Sequence, residues 1–430
     1  MLRKHYPDIQ RLDFYADVSC GPFGTAIKLS DYRQTGVPLL RIANIAKQGT
    51  IDTIDLVFLS EEKAKALARY QVKPGDLVIS QRGTLGMPAI VPDDYPVWIV
   101  SANLIAIRVR NDISPLFIQQ FLSSGLGRTQ LERRQSGQVQ GKITTEDVAS
   151  VLIPKVMNEH MLVQQLEAAR AERQRKLDEA ESLLAGIDDL VLEQLGIALP
   201  EARQEHVYAV RLDHVNPQRL DTYFYNPHLL QSEMIIRRFQ PEVVPLCSLL
   251  SRPPVNGIDA REYVSNGRIY LRVQNIRPFE IVLDDAKQVS ITTKKDIAIK
   301  AGDVLLTRKG TFGVAVQVPQ GLEGGLISSE VILLRVKDNA KVSAEFLIAW
   351  LNCSAAQRLF DRYKSGGIMG HITQDVVCNF PVPVPNSETQ ALIVKRIREI
   401  RRRAKHLEQQ AELEWQAAKA RFEKALLGEP

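Results

Sequence analysis

Two long stretches of the chain carry apolar residues at alternating steps of three and four. The first runs through Leu162, Leu166, Ala169, Leu177, Ala180, Leu184, Ile187, Val191 and Leu195, broken by Arg173. The second runs through Ile393, Ile397, Ile400, Ala404, Leu407, Ala411, Ala418, Phe422 and Ala425, broken by Glu414. A period near 3.5 is that of a coiled-coil seam rather than of a broad buried face. Neither stretch contains proline, both are rich in Ala, Glu, Gln, Arg and Leu, and each follows a proline-marked boundary, "LIPKVMNEH" or "FPVPVPNSE". The pattern predicts helices from Glu159 to Leu195 and from Glu388 to Leu427. At 1.5 Å per residue they are roughly 55 and 60 Å long.

Laid antiparallel, the two seams set Leu162 against Ala425, Ala169 against Ala418, Ile187 against Ile400 and Leu195 against Ile393. In that register Arg173 lands opposite Glu414. An ion pair between them is expected within the seam, serving register more than stability. The alternative is that both side chains reach out to solvent.

Ahead of each helix the pattern is mixed. Short β-branched runs such as "DLVISQ", "LIAIRV", "DVLLT" and "VILLRV" read as strands, punctuated by Gly and Pro. Stretches such as "PLFIQQFLSS" and "AEFLIAWLNCSAAQRLFDRY" read as helices. Each half is therefore expected to be an α+β globule with a helical arm.

The halves also repeat one another. "RIANI" at Arg41 matches "RVQNI" at Arg272, and "KPGDLVISQRGTLG" at Lys73 matches "KAGDVLLTRKGTFG" at Lys300. "SANLIAIRV" at Ser101 matches "SSEVILLRV" at Ser328, and "SGQVQGKIT" at Ser136 matches "SGGIMGHIT" at Ser365. These pairs keep one order and offsets between 227 and 231 residues, so the chain is a tandem duplication of a large unit. "QRLD" at Gln10 is also paired with "QRLD" at Gln218. That pairing leaves 28 residues from Asp13 to Arg41 but 51 from Asp221 to Arg272.

Length and composition agree with more than one folding unit: 430 residues, 45% hydrophobic and 24% charged. No apolar run approaches the roughly 20 residues that cross a bilayer, and no secretory signal opens the chain, so a cytoplasmic location without membrane association is expected. The formal net charge of +5 fits a polyanionic partner without requiring one. Cys20, Cys247, Cys353 and Cys378 are too scattered for a paired-thiolate metal site or a disulfide framework, and are expected as buried apolar residues.

Candidate chemistry lies in the repeated phrases. In "QRGTLG" and "RKGTFG" the glycines allow a tight turn between strands, while Arg82, Arg308 and Lys309 stand where they could reach phosphates. The phrase lacks the Gly-Lys-Ser/Thr ending of a phosphate loop. In the second phrase, glycines flank Lys142 and His371, and the copies differ at Gln138 and Gln140 against Gly367 and Met369, which could serve different base readout or simply form a connection that positions the arm. The shared Ile143–Thr144 and Ile372–Thr373 are read as structural. The basic run from Lys395 to His406 is either a solvated helical face or a DNA-backbone contact. No catalytic constellation and no metal site is assigned. "NPHL" at Asn226 is not the motif of an amino-methyltransferase, "SEEK" at Ser60 lacks the Pro-Asp of a metal-dependent nuclease, and His371 has no evident nucleophile or carboxylate partner.

The order of these phrases, their duplication and the two helical stretches resemble the specificity subunit of type I restriction-modification systems. "CGPFGTAIKLSDYRQTGVPLLRIANI", the two glycine phrases, "SGG" before "HIT" and "FPVPVPNSETQALIV" carry the resemblance. It implies two pseudo-symmetric target-recognition globules, each a mixed sheet with helices, joined by two long helices packed as an antiparallel coiled coil. The implied division is residues 1–157 and 198–385 for the recognition domains, with 158–197 and 386–430 for the spacer helices. Each globule would read half of a bipartite, asymmetric site in double-stranded DNA, with the helices fixing the gap. The resemblance further implies a subunit without chemistry or cofactor of its own. Modification (methyltransferase) and restriction (motor and nuclease) subunits would dock on it and use S-adenosylmethionine, ATP and Mg. Two alternatives stand beside this: the specificity subunit of another restriction or phage-defence system, and a coiled-coil scaffold whose globules bind proteins.

Overall fold

The computed structural model describes the whole chain except residues 1–5, 7–8, 23–25, 47–48, 83–87, 111–112, 135–141, 202–206, 216–218, 240, 291–296, 366–369 and 429–430. Two compact units divide it. Unit 1 is Met1–Leu177 with Glu408–Pro430, and unit 2 is Asp178–Leu407. Both long helices, Glu159–Leu195 and Ser387–Leu426, are continuous and contribute one half to each unit.

Unit 1 is built on a four-stranded antiparallel sheet in the order Ala16–Cys20, Leu104–Val109, Leu77–Ser80, Pro88–Ile90. Unit 2 has the same sheet from matching residues: Val255–Asn256, Val331–Leu334, Val304–Thr307, Ala315–Gln317. Leu77, Ile79, Leu104, Ile105 and Ile107 are wholly buried, as are Val304, Leu305, Leu306 and their neighbours Val331 and Ile332. That is why these strands read as continuous apolar runs rather than alternations. A second sheet in each unit holds one parallel pair, Val37–Leu40 with Trp98–Val100 in unit 1 and Arg268–Leu271 with Leu326–Ile327 in unit 2.

The repeated phrases are frame. In "KPGD" and "KAGD" the aspartates accept from their own turns, Lys73 N to Asp76 Oδ2 at 2.9 Å and Lys300 N to Asp303 Oδ2 at 2.7 Å. Each is then paired with the arginine of the repeated strand, Arg108 Nε at 3.3 Å and Arg335 Nε at 2.7 Å. In "RIANI" and "RVQNI" the buried Asn44 and Asn275 accept from the backbone N–H of Arg41 at 3.1 Å and of Arg272 at 2.9 Å. Their amides reach forward to the carbonyls of Asp52 and Val282. Gly21 and Gly257 are a further repeated pair: a Cβ would stand 2.1 Å from the Ser101 carbonyl oxygen in one and 2.0 Å from that of Ile327 in the other.

The strand pairing corrects one repeat. Gln10–Arg11 pairs with Leu152–Ile153, and the matching pair in unit 2 is Val243–Pro245 with Pro381–Pro383. Leu12 N donates to the Val151 carbonyl as Leu246 N does to that of Phe380. The counterpart of Arg11–Leu12 is therefore Pro245–Leu246, not the second "QRLD". Measured from Leu12 and Leu246, the distances to Arg41 and Arg272 are 29 and 26 residues, and the mismatch in spacing shrinks to three residues. The second "RLD", Arg219 to Asp221, belongs to a segment that leads into the helix Pro227–Arg237, for which the described residues of unit 1 hold no equivalent.

The long helices pack antiparallel within each unit. In unit 1, Val163 and Leu166 of the first share a core with Ala418, Phe422 and Leu426 of the second, together with Leu12, Phe117 and Ile153. In unit 2, Ile187, Val191 and Leu195 meet Ile393 and Ile397, with Ile400 partly buried at the edge. Leu407 is half-buried, whereas Leu184, expected in the seam, is 39% exposed. The seam charges also pair differently from expectation. Arg173 Nη2 contacts Glu412 Oε2 at 3.4 Å, and Glu414 Oε2 takes Lys176 Nζ at 2.5 Å, Lys176 being buried. Arg173 and Glu414 each turn to the neighbouring position on the facing helix, so the charges divide into two cross-helix pairs rather than one.

Two cysteines also depart from expectation. Cys247 and Cys378 form a disulfide across 131 residues, joining the turn Leu246–Leu249 to the short helix Gln374–Cys378. Cys353 is buried, as expected, and burial pushes its thiol up to about 12. Cys20 is half-buried.

Candidate nucleic-acid interface

In both units the glycine turn and the second repeated phrase meet through equivalent backbone bonds. Ile372 N donates to the Arg308 carbonyl at 2.9 Å, and Ile143 N to that of Gln81 at 3.2 Å. The anchoring residues are packed, Ile143 1% and Ile372 0% exposed. Thr144 and Thr373 then accept from Asp147 N and Val376 N, capping the helices Thr145–Ala149 and Gln374–Cys378. The structural reading of these Ile-Thr pairs holds.

On either side of these bonds stand the candidate contact residues. In unit 2, Lys309 and His371 form an antiparallel bridge, and His371 forms a second with Ser365. Lys309 is exposed and His371 half-buried. In unit 1, Arg82 is exposed and Lys142 half-buried. Arg308 faces inward: its Nε donates to the Ile372 carbonyl at 3.3 Å and its Nη1 to that of Ser329 at 3.4 Å. Its guanidinium ties the turn to the adjoining chain rather than presenting itself to a ligand. Gln138 and Gln140 lie outside the described residues, as do Gly367 and Met369.

The basic run of the second long helix is partly used within the protein. Arg398 binds Glu345, Arg403 Nη2 binds Glu179 Oε1 at 2.8 Å, and Arg401 lies 5.5 Å over the Phe279 ring, where burial lowers its pKa. From Asp178 to Leu195 the first long helix carries six acidic residues and no Lys or Arg. In unit 2 the basic half of one helix therefore faces the acidic half of the other, a complementarity that explains much of the run without DNA. Lys395, Arg396, Arg402 and Lys405 remain exposed.

Residues 262–414, which include the unit 2 turn and its partner phrase, match the family model described as the type I restriction modification DNA specificity domain. Over that stretch the chain is similar to a type I specificity domain. Over 166 residues it is 24% identical to the type I restriction enzyme EcoBI specificity subunit of Escherichia coli, an alignment covering 38% of this chain and 35% of that one. The chain thus spans about a third of the curated relative it matches. Among solved structures, one from a study of complex assembly and conformational transition of the type I R-M system superposes with a TM-score of 0.55 at 17% identity, covering 97% of both chains. That likeness shows a shared fold over nearly the full length of both chains. The HsdS subunit from Thermoanaerobacter tengcongensis aligns over 100% of both chains at 17% identity with a TM-score of 0.42.

Two further repeated contacts, the Tyr–Arg pairs Tyr32–Arg41 and Tyr263–Arg272, are not evident from the repeated phrases alone. Each guanidinium carbon lies over its ring, at 6.0 and 5.8 Å. The signal was present, because a Tyr precedes the Arg of "RIANI" and of "RVQNI" by nine positions in both copies. Among the described residues no group of three or more His, Cys, Asp or Glu side chains could hold a metal ion, and no helix is long and apolar enough to cross a membrane.

Proposed function

We propose that this chain is the DNA-recognition subunit of a type I restriction-modification complex, with each unit reading one part of a bipartite, asymmetric duplex site. The observation that carries the reading is the point-by-point repetition of the frame. Asp76 and Asp303, Asn44 and Asn275, and the Ile143 and Ile372 bonds hold the same turns in place in both units. Two matching frames with different residues displayed on them suit two different half-sites, since frame residues position and displayed residues discriminate. Arg82 with Lys142, and Lys309 with His371, are the proposed contacts. Under this reading the chain performs no chemistry and takes no cofactor. Methyl transfer and ATP-driven cleavage belong to modification and restriction subunits that dock on it.

The test is duplex binding by the full chain as a function of salt. Neutralisation of several phosphates makes log K fall with log salt by about 0.9 per contact. Steep loss of duplex affinity with salt supports the reading, and binding that ignores salt favours a protein scaffold.

A further inference from the structure

We propose that Tyr223, from the segment 219–237, and Lys364 form an aromatic and cationic DNA contact on unit 2 that acts together with Lys309. The inference rests on the DNA-recognition reading and deepens it. The segment is held by a knot of charged and aromatic groups. Arg219 donates through Nη2 to the carbonyls of Arg362 at 3.3 Å and Lys364 at 3.1 Å, and lies 4.6 Å over the Phe224 ring. From the helix Ser354–Tyr363, the buried Arg362 donates to the Phe224 carbonyl at 2.9 Å and lies 4.2 Å over the same ring. Glu233, on the helix Pro227–Arg237, binds both Arg362 and the Tyr363 hydroxyl.

This knot fixes its neighbours and leaves one ring outside. Tyr223 is 59% exposed, and Lys364 Nζ stands 4.4 Å from its centroid. The same ammonium is 5.5 Å from the ring of Phe312, which belongs to the repeated glycine turn, and 2.9 Å from Asp361 Oδ1. Lys364 directly precedes Ser365, which bridges His371, which in turn bridges the exposed Lys309. Tyr223, Phe312 and Lys364 therefore form one patch, and through Ser365 and His371 the backbone at Lys364 is bridged to that of Lys309 at the candidate interface.

Such a patch suits a sugar–phosphate backbone. Ammonium groups neutralise phosphates, and an exposed tyrosine ring packs on a sugar at low entropic cost.

The experiment uses the full chain and a pool of random-sequence duplexes. Lys309→Ala and Lys364→Ala are each expected to reduce the slope of log K against log salt by about 0.9. Tyr223→Ala is expected to weaken binding about two- to fivefold at fixed salt, while Tyr223→Phe keeps wild-type affinity. Lys65→Ala, an exposed change in unit 1, leaves the slope unchanged. Lysine acylation of the wild type, with and without duplex, reads the same contact without a variant: DNA should protect Lys309 and Lys364 but not Lys65. Unaltered slopes together with unprotected lysines, on a wild type that binds duplex steeply, overturn the patch and leave the DNA reading standing. A wild type without salt-sensitive duplex binding overturns both.

Discussion

Replacing Phe422 by Ala is expected to loosen the first unit, although almost all of that unit lies more than two hundred residues earlier in the chain. Phe422 is 4% exposed, and its ring centroid is 6.2 Å from that of Phe117. It shares a core with Leu12, Leu122, Ile153 and Leu166. Truncating such a phenylalanine removes its transfer free energy and leaves a cavity, together about 3–5 kcal/mol. Hydrogen exchange read by mass spectrometry localises the effect. Amides of Leu77–Ser80 and Leu104–Val109 should exchange roughly two to three and a half orders of magnitude faster, the equivalent of that free energy. Those of Val304–Thr307 and Val331–Leu334 should hold their rates. Leu413, 72% exposed on the same helix, provides the control: its replacement by Ala should stay within about 0.5 kcal/mol. Unchanged unit 1 amides, or equal losses in both units, would refute the assignment of the last part of the second long helix to the core of unit 1.

Three further outcomes follow from named contacts. Asn275→Ala leaves the Arg272 N–H without its side-chain acceptor and the Val282 carbonyl without its amide donor, so denaturant unfolding should report a loss of about 2 kcal/mol, with a similar loss for Asn44→Ala. Alkylation followed by mass spectrometry should label Cys20 in the folded protein, Cys247 and Cys378 only after reduction, and Cys353 only after unfolding, since its buried thiol is pushed up to about 12. The hydrogen bonds from Arg175 hold the Glu172 carboxyl down at about 2, against an ordinary 4.5. The carboxylate is favoured in the folded state, so its contribution to stability is present above about pH 4.5 and is lost as pH falls toward 2. An NMR titration should show that low midpoint, and Arg175→Ala should raise it toward the ordinary one, with Lys176 still holding it down in part.

Much of this architecture is visible in the chain before any coordinates. The long helices begin and end within one residue of the limits that their heptad spacing predicts, because a seam repeated over ten turns leaves little freedom. The repeated phrases marked the frame because Asp303 and Asn275 each accept from a backbone N–H through the side chain, and Ile372 is wholly buried. What escaped depends on partners distant in sequence. Whether Lys176 or Leu177 turns inward, and whether Glu412 or Glu414 meets Arg173, differs by a small rotation of one helix that apolar spacing does not resolve. The second "QRLD" misled because a local Arg–Asp pair recurs at Arg11–Asp13 and Arg219–Asp221, while the position in the sheet is set by pairing with Leu152–Ile153 or Pro381–Pro383. Nothing local in sequence separated the outward Lys309 from the inward Arg308, whose guanidinium is claimed by carbonyls 64 and 21 residues away.

The central claim is that one chain carries two readers for two parts of a single DNA site. Mapping methylated positions across the source genome, with and without this gene, tests it most directly. The account predicts that both parts of a two-part motif at fixed spacing lose methylation together when the gene is removed. A genome whose methylation is unchanged, or in which one part changes without the other, would contradict it.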